Sequence, residues 1–201
     1  FIPKAENRWL FSATMPHGIR EIISKHFAPD ALKIEVSSKD VVNKNIEHQY
    51  LVCNEFDKTS ILIQFLKGQR DNQGVIFCKT KAATQKLSKQ LIAKNVSADA
   101  IHGDLLQKER DKVMRAFKNG NLKILIATDL AARGIDVEGL SYVVHYQLPD
   151  KNEYYTHRSG RTARAGKRGI SLCLVTGAEM KQLRFFEKTL NIGFSEVKAL
   201  R

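Results

Sequence analysis

The sequence predicts an α/β fold: an open, mostly parallel β-sheet with helices on both faces. Short β-branched runs alternate with turns and with roughly 10–16-residue stretches whose apolar residues recur at spacings of three and four, the signature of strand–helix alternation. Several of the short runs are apolar almost throughout, as strands covered on both faces of a parallel sheet are. Strands that alternate with helices pair in parallel through right-handed crossovers.

In chain order, strands are expected at residues 49–53, 74–78, 98–102, 123–128, 142–147 and 169–175, and helices at 58–66, 82–94 and 107–118. Ala83, Leu87 and Leu91 form the inward stripe of the second helix, and Val113 and Phe117 that of the third. Met180, Leu183, Phe186 and Leu190 give a last helix its apolar face. Residues 1–36 depart from this unit: a strand end at Trp9-Leu10-Phe11, a tight loop, a helix at about 17–27, then Pro29 and a last strand near 33–36. They are expected to be the tail of a preceding domain. Residues 37–45 are polar without a helical stripe and read as a linker, leaving 46–201 as the main domain.

The chain has 201 residues, 43% of them hydrophobic and 27% charged. That suffices for one large core, excludes a disordered tail, and is too short for a complete two-domain motor. With 33 Lys+Arg against 21 Asp+Glu, a net +12, polyanions are the first partners to expect, nucleic acid before an acidic membrane surface. No apolar run approaches the ~18 residues of a membrane span. The start, Phe1-Ile2-Pro3-Lys4, has neither an initiator Met nor a signal-peptide core, so an excerpt of a longer intracellular protein is expected, cytoplasmic, or nuclear in a eukaryote. Cys53, Cys78 and Cys173 are far apart and mostly in apolar runs, as buried thiols of a reducing compartment are; with no Cys-x-x-Cys and scattered His, no zinc site is expected.

Ligands of open α/β sheets bind outside the carboxyl ends of the strands. Lys79-Thr80-Lys81, His102-Gly103-Asp104 with Gln107 and Arg110, and Thr128-Asp129 through Arg133-Gly134-Ile135-Asp136 all follow expected strands. Free N–H groups at helix starts, with Gly103 and Gly134 allowing close backbone approach, suit phosphate. The densest signal is residues 157–168, with Arg158, Arg161, Arg164, Lys167 and Arg168 and no acid. Such charges repel one another unless an anion joins them. Arginines at 158, 161 and 164 recur every three residues and are expected to project toward a common side in a helical turn. No Gly-x-x-x-x-Gly-Lys-Ser/Thr and no strand-following Asp-Glu pair occurs, so the chain is expected to form one wall of a composite nucleotide site.

These residues resemble the second RecA-like domain of a DEAD-box RNA helicase, preceded by the tail of the first. The resemblance rests on Ser12-Ala13-Thr14, on Val75 through Thr80, on His102-Gly103-Asp104 with Gln107 and Arg110, on Ala127-Thr128-Asp129 through Asp136, and on His157-Arg158 through Gly160-Arg161 and Arg164. It implies that Arg161 and Arg164 reach the γ-phosphate as arginine fingers, that Gly134 and Asp136 face the ribose, and that His157 links the nucleotide site to the first domain. It implies RNA-backbone contacts at Thr80, Gly103, Arg110 and Thr128, and interdomain coupling by Ser12 and Thr14. The implied cofactor is ATP with Mg2+, held mainly by the N-terminal RecA-like domain, and the implied partners are that domain and RNA bound without sequence preference, with no membrane. ATP hydrolysis and local duplex unwinding would belong to the full-length protein, the fragment alone being inactive. The family's most common arginine motif has Ile where Ser159 stands and Gly where Ala163 stands; the arginine spacing is kept. Two other readings are a nucleic-acid-binding module of an inactive helicase-like protein and a DNA helicase of the same superfamily.

Overall fold

Val75, Ile76 and Phe77 have no polar face, so the strand they form is stable only where both of its faces are covered. That is where the computed structural model places it, in the middle of a seven-stranded sheet. The structure describes residues 8–12, 15, 17–34, 43–132, 139–164 and 166–198. The chain divides into two compact units, Phe1–Lys39 and Asp40–Arg201. In the smaller, helix α1 (His17–His26) buries none of its side chains, and Arg8 Nη1 donates to the carbonyl of His26 at its carboxyl end (2.5 Å).

The larger unit runs β1 (Ile46–Val52), α2 (Lys58–Gln69), β2 (Gly74–Phe77), α3 (Lys81–Ile92), β3 (Ala98–Ile101), α4 (Gln107–Lys118), β4 (Ile124–Ala127), the short α5 (Asp129–Ala132), β5 (Tyr142–His145), α6 (Asn152–Ser159), β6 (Gly169–Val175), a 3₁₀ turn (Gly177–Glu179), α7 (Met180–Leu190) and β7 (Ser195–Glu196). The strand order is β3-β4-β2-β5-β6-β1-β7, and every pairing is parallel. All carboxyl ends therefore lie along one edge.

Alternation along the strands sorts the core into two layers. Ile76, Ile126, Val144 and Leu172 face Leu62 and Leu66 of α2 and Leu87 and Leu91 of α3. On the other face, Val75, Phe77 and Leu125 pack on Val113 and Phe117 of α4, while Cys173 and Val175 meet Tyr155 of α6 and Leu183 and Phe186 of α7. Two glycines permit close contacts: a Cβ on Gly74 would meet the Tyr142 ring at 2.1 Å, and one on Gly169 would meet Thr162 Oγ1 at 2.0 Å. The second contact lays the segment after α6 against β6.

The expected sheet is present and wholly parallel. Strands at 74–78, 98–102, 123–128 and 142–147 end one or two residues earlier than expected, because their last residues turn out into the edge loops. Strand β1 starts at Ile46, three residues early, with polar His48 among its inward positions. Residues 9–11 and 33–34 form no strand, a correction to the expectation for the N-terminal segment, whose residues 35–36 lie outside the described residues; a strand needs a partner to hydrogen-bond with, and no described residue of that unit supplies one. Cys78 and Cys173 are buried free thiols and Cys53 is half-buried; burial pushes the Cys78 thiol up to about 12, so it stays protonated.

Candidate functional site

Because β4, β2 and β5 are neighbours, the loops at Lys79-Thr80, Thr128-Asp129 and Gln147 lie side by side, with His102-Gly103-Asp104 one strand further out. Thr80 Oγ1 accepts from the Ala83 N–H (3.1 Å) as the cap of α3, and Thr128 Oγ1 accepts from the Ala131 N–H (3.4 Å) at the start of α5. Both caps hold their loops close against the sheet edge.

Asp129 is the anion of the arginine-rich segment. Its carboxylate accepts a two-pronged fork from Arg158, Nε to Oδ1 at 2.6 Å and Nη2 to Oδ2 at 2.7 Å. Nη1 of Arg158 donates to the carbonyl of Gln147 (2.8 Å), and the guanidinium lies 5.0 Å from the centre of the Phe77 ring. Arg158 is 1% exposed. The expectation that Arg158, Arg161 and Arg164 project to a common side is corrected in part: Arg158 and Arg161 line one cleft, with Arg158 engaged by Asp129, and Arg164 does not line it. The helix ends at Ser159, and Ala163 takes a left-handed conformation at φ +56°, which turns the chain between Arg161 and Arg164. The carbonyl of Ala163 accepts from Asn43 Nδ2 (2.6 Å), and Arg164 Nε donates back to the carbonyl of Gly160 (2.8 Å).

Two clefts open on this edge. The larger, about 640 Å³, is lined by Lys79, Thr80, Lys81, Thr128, Asp129 and Tyr154, among others. The smaller, about 300 Å³, is lined by Phe77, Asp129, Tyr154, His157, Arg158 and Arg161, together with Ala132. Asp129 and Tyr154 belong to both. Of the expected site residues, the structure thus brings Thr80 and Thr128 into one cleft and His157 and Arg161 into the adjoining one. Gly103 and Arg110 line neither: Gly103 lies beside the Lys81 side chain, and Arg110 of α4 donates Nη2 to the carbonyl of Ala131 (2.5 Å). Arg164 lines neither. Ser12 is exposed in the smaller unit, and Thr14, Gly134 and Asp136 lie outside the described residues.

Sequence reasoning gave no role to Asp129, Phe77 or Tyr154. For Asp129 a signal existed, since an acid directly after a strand is a natural partner for an arginine run that contains none. Lys79 pairs with Asp150 (2.7 Å) and Lys81 with Asp104, whose carboxyl that lysine holds below its usual range. No group of three metal-ligating side chains occurs among the described residues, and Asp129, the acid of both clefts, is committed to Arg158. The described residues do not fit a Mg2+ ion.

The family model described as "Helicase conserved C-terminal domain" matches residues 57–166, which contain both clefts. The chain belongs to that family. It is a helicase C-terminal domain of the DEAD-box kind with a RecA-like sheet. The DEAD-box ATP-dependent RNA helicase CshA of Bacillus cereus is 40% identical over 188 residues, 94% of this chain and 36% of that protein. Saccharomyces cerevisiae Dbp5, solved bound to RNA and ADP BeF3, aligns with a TM-score of 0.84 at 31% identity, covering 94% of this chain and 50% of that one. A DEAD box protein from the hyperthermophile Methanococcus jannaschii gives 0.73 at 41% identity, again over 94% of this chain and 50% of that one. The helicase domain therefore spans about a third of the CshA length and half of each of these solved chains. No helix among the described residues is long and apolar enough to cross a membrane.

Proposed function

We propose that this chain is the C-terminal half of an ATP-dependent RNA helicase, with residues 46–201 forming its second RecA-like domain and residues 1–36 belonging to its first. The domain presents Arg161 and His157 to an ATP molecule held, with its Mg2+, by that first domain. The observation that carries this reading is that the same small cleft holds His157 and Arg161 while Asp129 fully engages Arg158. Arg158 is thus fixed as internal structure on the wall of that cleft, and Arg161, which lines it as well, is the guanidinium assigned to the nucleotide. A guanidinium poised there stabilises the charge that develops on a transferring γ-phosphoryl group.

The adjoining larger cleft takes the RNA backbone. Hydroxyls of Thr80 and Thr128 and the ammonium groups of Lys79 and Lys81 offer donors and charge without reading bases, which suits sequence-independent contact with phosphate. Gly103 and Arg110 extend that path along the loop after β3. The shared residues Asp129 and Tyr154 give the RNA cleft and the nucleotide cleft a common wall, so a shift in one is felt in the other. The likeness to Dbp5, solved bound to RNA and ADP BeF3, supports RNA and a nucleotide as the two ligands.

Steady-state ATP turnover by the full-length protein, with and without single-stranded RNA or DNA, tests this. Arg161→Ala is expected to remove RNA-stimulated turnover by on the order of 10³-fold, the range of an arginine finger. Near-normal turnover in the variant would sink the proposal, and stimulation by DNA alone would move the protein to a different branch of the superfamily.

A further inference from the structure

Helix α6 carries His157 and leads directly into Arg161, yet little apolar surface holds it to the sheet. Its buried residues are Tyr155, Arg158 and Ser159. Tyr155 and Ser159 are one helical turn apart and face inward, and there they enter a chain of buried polar groups. Ser159 Oγ lies 2.9 Å from Ser171 Oγ of β6. Ser171 Oγ lies 3.1 Å from His145 Nε2 of β5 and 3.3 Å from the Tyr155 hydroxyl, which in turn lies 2.6 Å from His48 Nδ1 of β1. The His145 ring also stacks on the Tyr155 ring, with centroids 4.6 Å apart. All five residues are buried.

One proton order satisfies every hydroxyl in the chain. Burial keeps both imidazoles neutral, bringing His48 down to about 4 and His145 well below its usual range, the latter helped by the nearby charge of Arg158. Neutral His48 accepts the Tyr155 proton at Nδ1, and Tyr155 accepts from Ser171. Ser171 accepts both from Ser159 and from Nε2–H of His145. That leaves Nδ1 of His145, which has no hydrogen-bond partner among the described residues, as a lone acceptor. The opposite tautomer would bury an unpaired N–H there, the rarer and costlier arrangement.

Apolar packing tolerates rotation of a helix, whereas a hydrogen bond weakens steeply once its donor swings off line. The inward face of α6 is tied in this way to three adjacent strands, β5, β6 and β1, with Ser171 at the junction. We propose that the Ser159–Ser171–His145 cluster is a positioning device that sets the rotation of α6 about its axis, and with it the aim of His157 and Arg161 into the smaller cleft. Serine at both 159 and 171 lets helix and strand approach until their hydroxyls touch, which larger side chains would prevent.

The test has two arms, of which only the second rests on the function proposed above. In the first, side-chain nitrogen NMR of this chain follows the Arg161 and Arg158 Nε–H signals and the His157 ring. Ser171→Ala is expected to shift and broaden the signals of Arg161 and His157 and to leave Arg158 Nε–H in place, because Asp129 and Gln147 still hold it. Ser159→Ala is expected to do the same more weakly. Cys173→Ala, a buried change on the same strand and face, lowers the melting temperature without moving Arg161. Unchanged Arg161 and His157 signals in both serine variants would show that the cluster only packs, and would overturn the proposal. In the second arm, Ser171→Ala in the full-length protein lowers kcat of RNA-stimulated ATP turnover by on the order of ten- to a hundredfold with KM for ATP unmoved, as misaimed groups do. Wild-type kcat in that variant would overturn it. A wild-type protein without turnover would defeat the proposed function and leave the first arm to decide this one.

Discussion

Helix α3 presents Leu87 and Leu91 to the sheet, both buried against Ile76 and Ile126, whereas helix α6 presents Arg158 to a carboxylate and Tyr155 and Ser159 to hydroxyls and imidazoles. The two helices border the same cleft region at the sheet edge. Alpha3 contributes its capped amino end, at Thr80, to a surface that needs backbone and charge in roughly the right place, and non-directional packing suffices for that. Alpha6 must aim individual side chains. A bidentate guanidinium–carboxylate fork adds little net stability over an apolar replacement, but it tolerates only one geometry. Rigid aim, rather than stability, is what the polar fastening supplies.

The most severe way to break this comparison is to remove the carboxylate. Asp129→Ala leaves the Arg158 guanidinium buried without its partner, an arrangement that costs about 3–5 kcal/mol. Urea unfolding should show that loss as a lower midpoint with an unchanged slope, a large share of the stability of an ordinary domain. Asp129→Asn keeps one acceptor and should lose less. If Asp129→Ala unfolds at the wild-type midpoint, α6 is not held by its polar side and the contrast with α3 fails.

Acid titrates the same contrast from the other end of the network. His48 has a folded pKa of about 4 against an ordinary 6.5, because burial disfavours its charged form. Between these values the unfolded chain binds a proton that the folded chain refuses. The contribution is complete above about pH 6.5 and is lost as the pH falls toward 4. For His48 alone the loss between about pH 7 and pH 5 is about 2 kcal/mol, and His145, shifted in the same direction, adds to it. His48→Gln, which keeps an acceptor for Tyr155, should make the profile shallower over that window and leave the share due to His145. A wild-type profile that is already flat there would show that protons reach the network freely.

The difference between the helices also explains what could be read before the structure. Gln107–Lys118 and Gly169–Val175 match their expected extents, and Met180–Leu190 carries the expected apolar face, because apolar residues at the proper period mark them. Helix α6 gave no such mark: of its eight residues only Tyr155 is a buried apolar ring, and its other inward positions are Arg158 and Ser159. One residue of what looks like an outward basic face, Arg158, in fact belongs to the inner one. The site was legible to the level of its loops, since topology alone puts Thr80, Thr128 and the arginine segment on one edge. Which arginine turns inward depends on Asp129, brought by β4 from 29 residues away, and no local pattern encodes that pairing. The N-terminal strands were misjudged for a related reason, because local apolar runs at 9–11 and 33–34 propose strands that only a pairing partner can make.

The smallest effect sharpens the comparison most, because it separates fastening from function on α3 itself. Lys81 opens that helix and pairs with Asp104, but both side chains are half exposed, at 52% and 57%, where solvent screening leaves an ion pair little to contribute. Asp104→Asn and Lys81→Ala should therefore leave the melting temperature where it is, since Leu87 and Leu91 fasten the helix without help. Lys81 nevertheless lines the larger cleft. If that cleft carries the RNA backbone, Lys81→Ala removes one phosphate contact, weakens binding for every RNA sequence alike, and lowers the slope of log affinity against log salt by about 0.7, the value for one counterion on a single strand. A fall in melting temperature would mean that α3 is fastened electrostatically after all. An unchanged salt slope would mean that the phosphates run elsewhere. Thermal stability holding while the salt slope falls is the result that keeps packing on α3 distinct from its binding role.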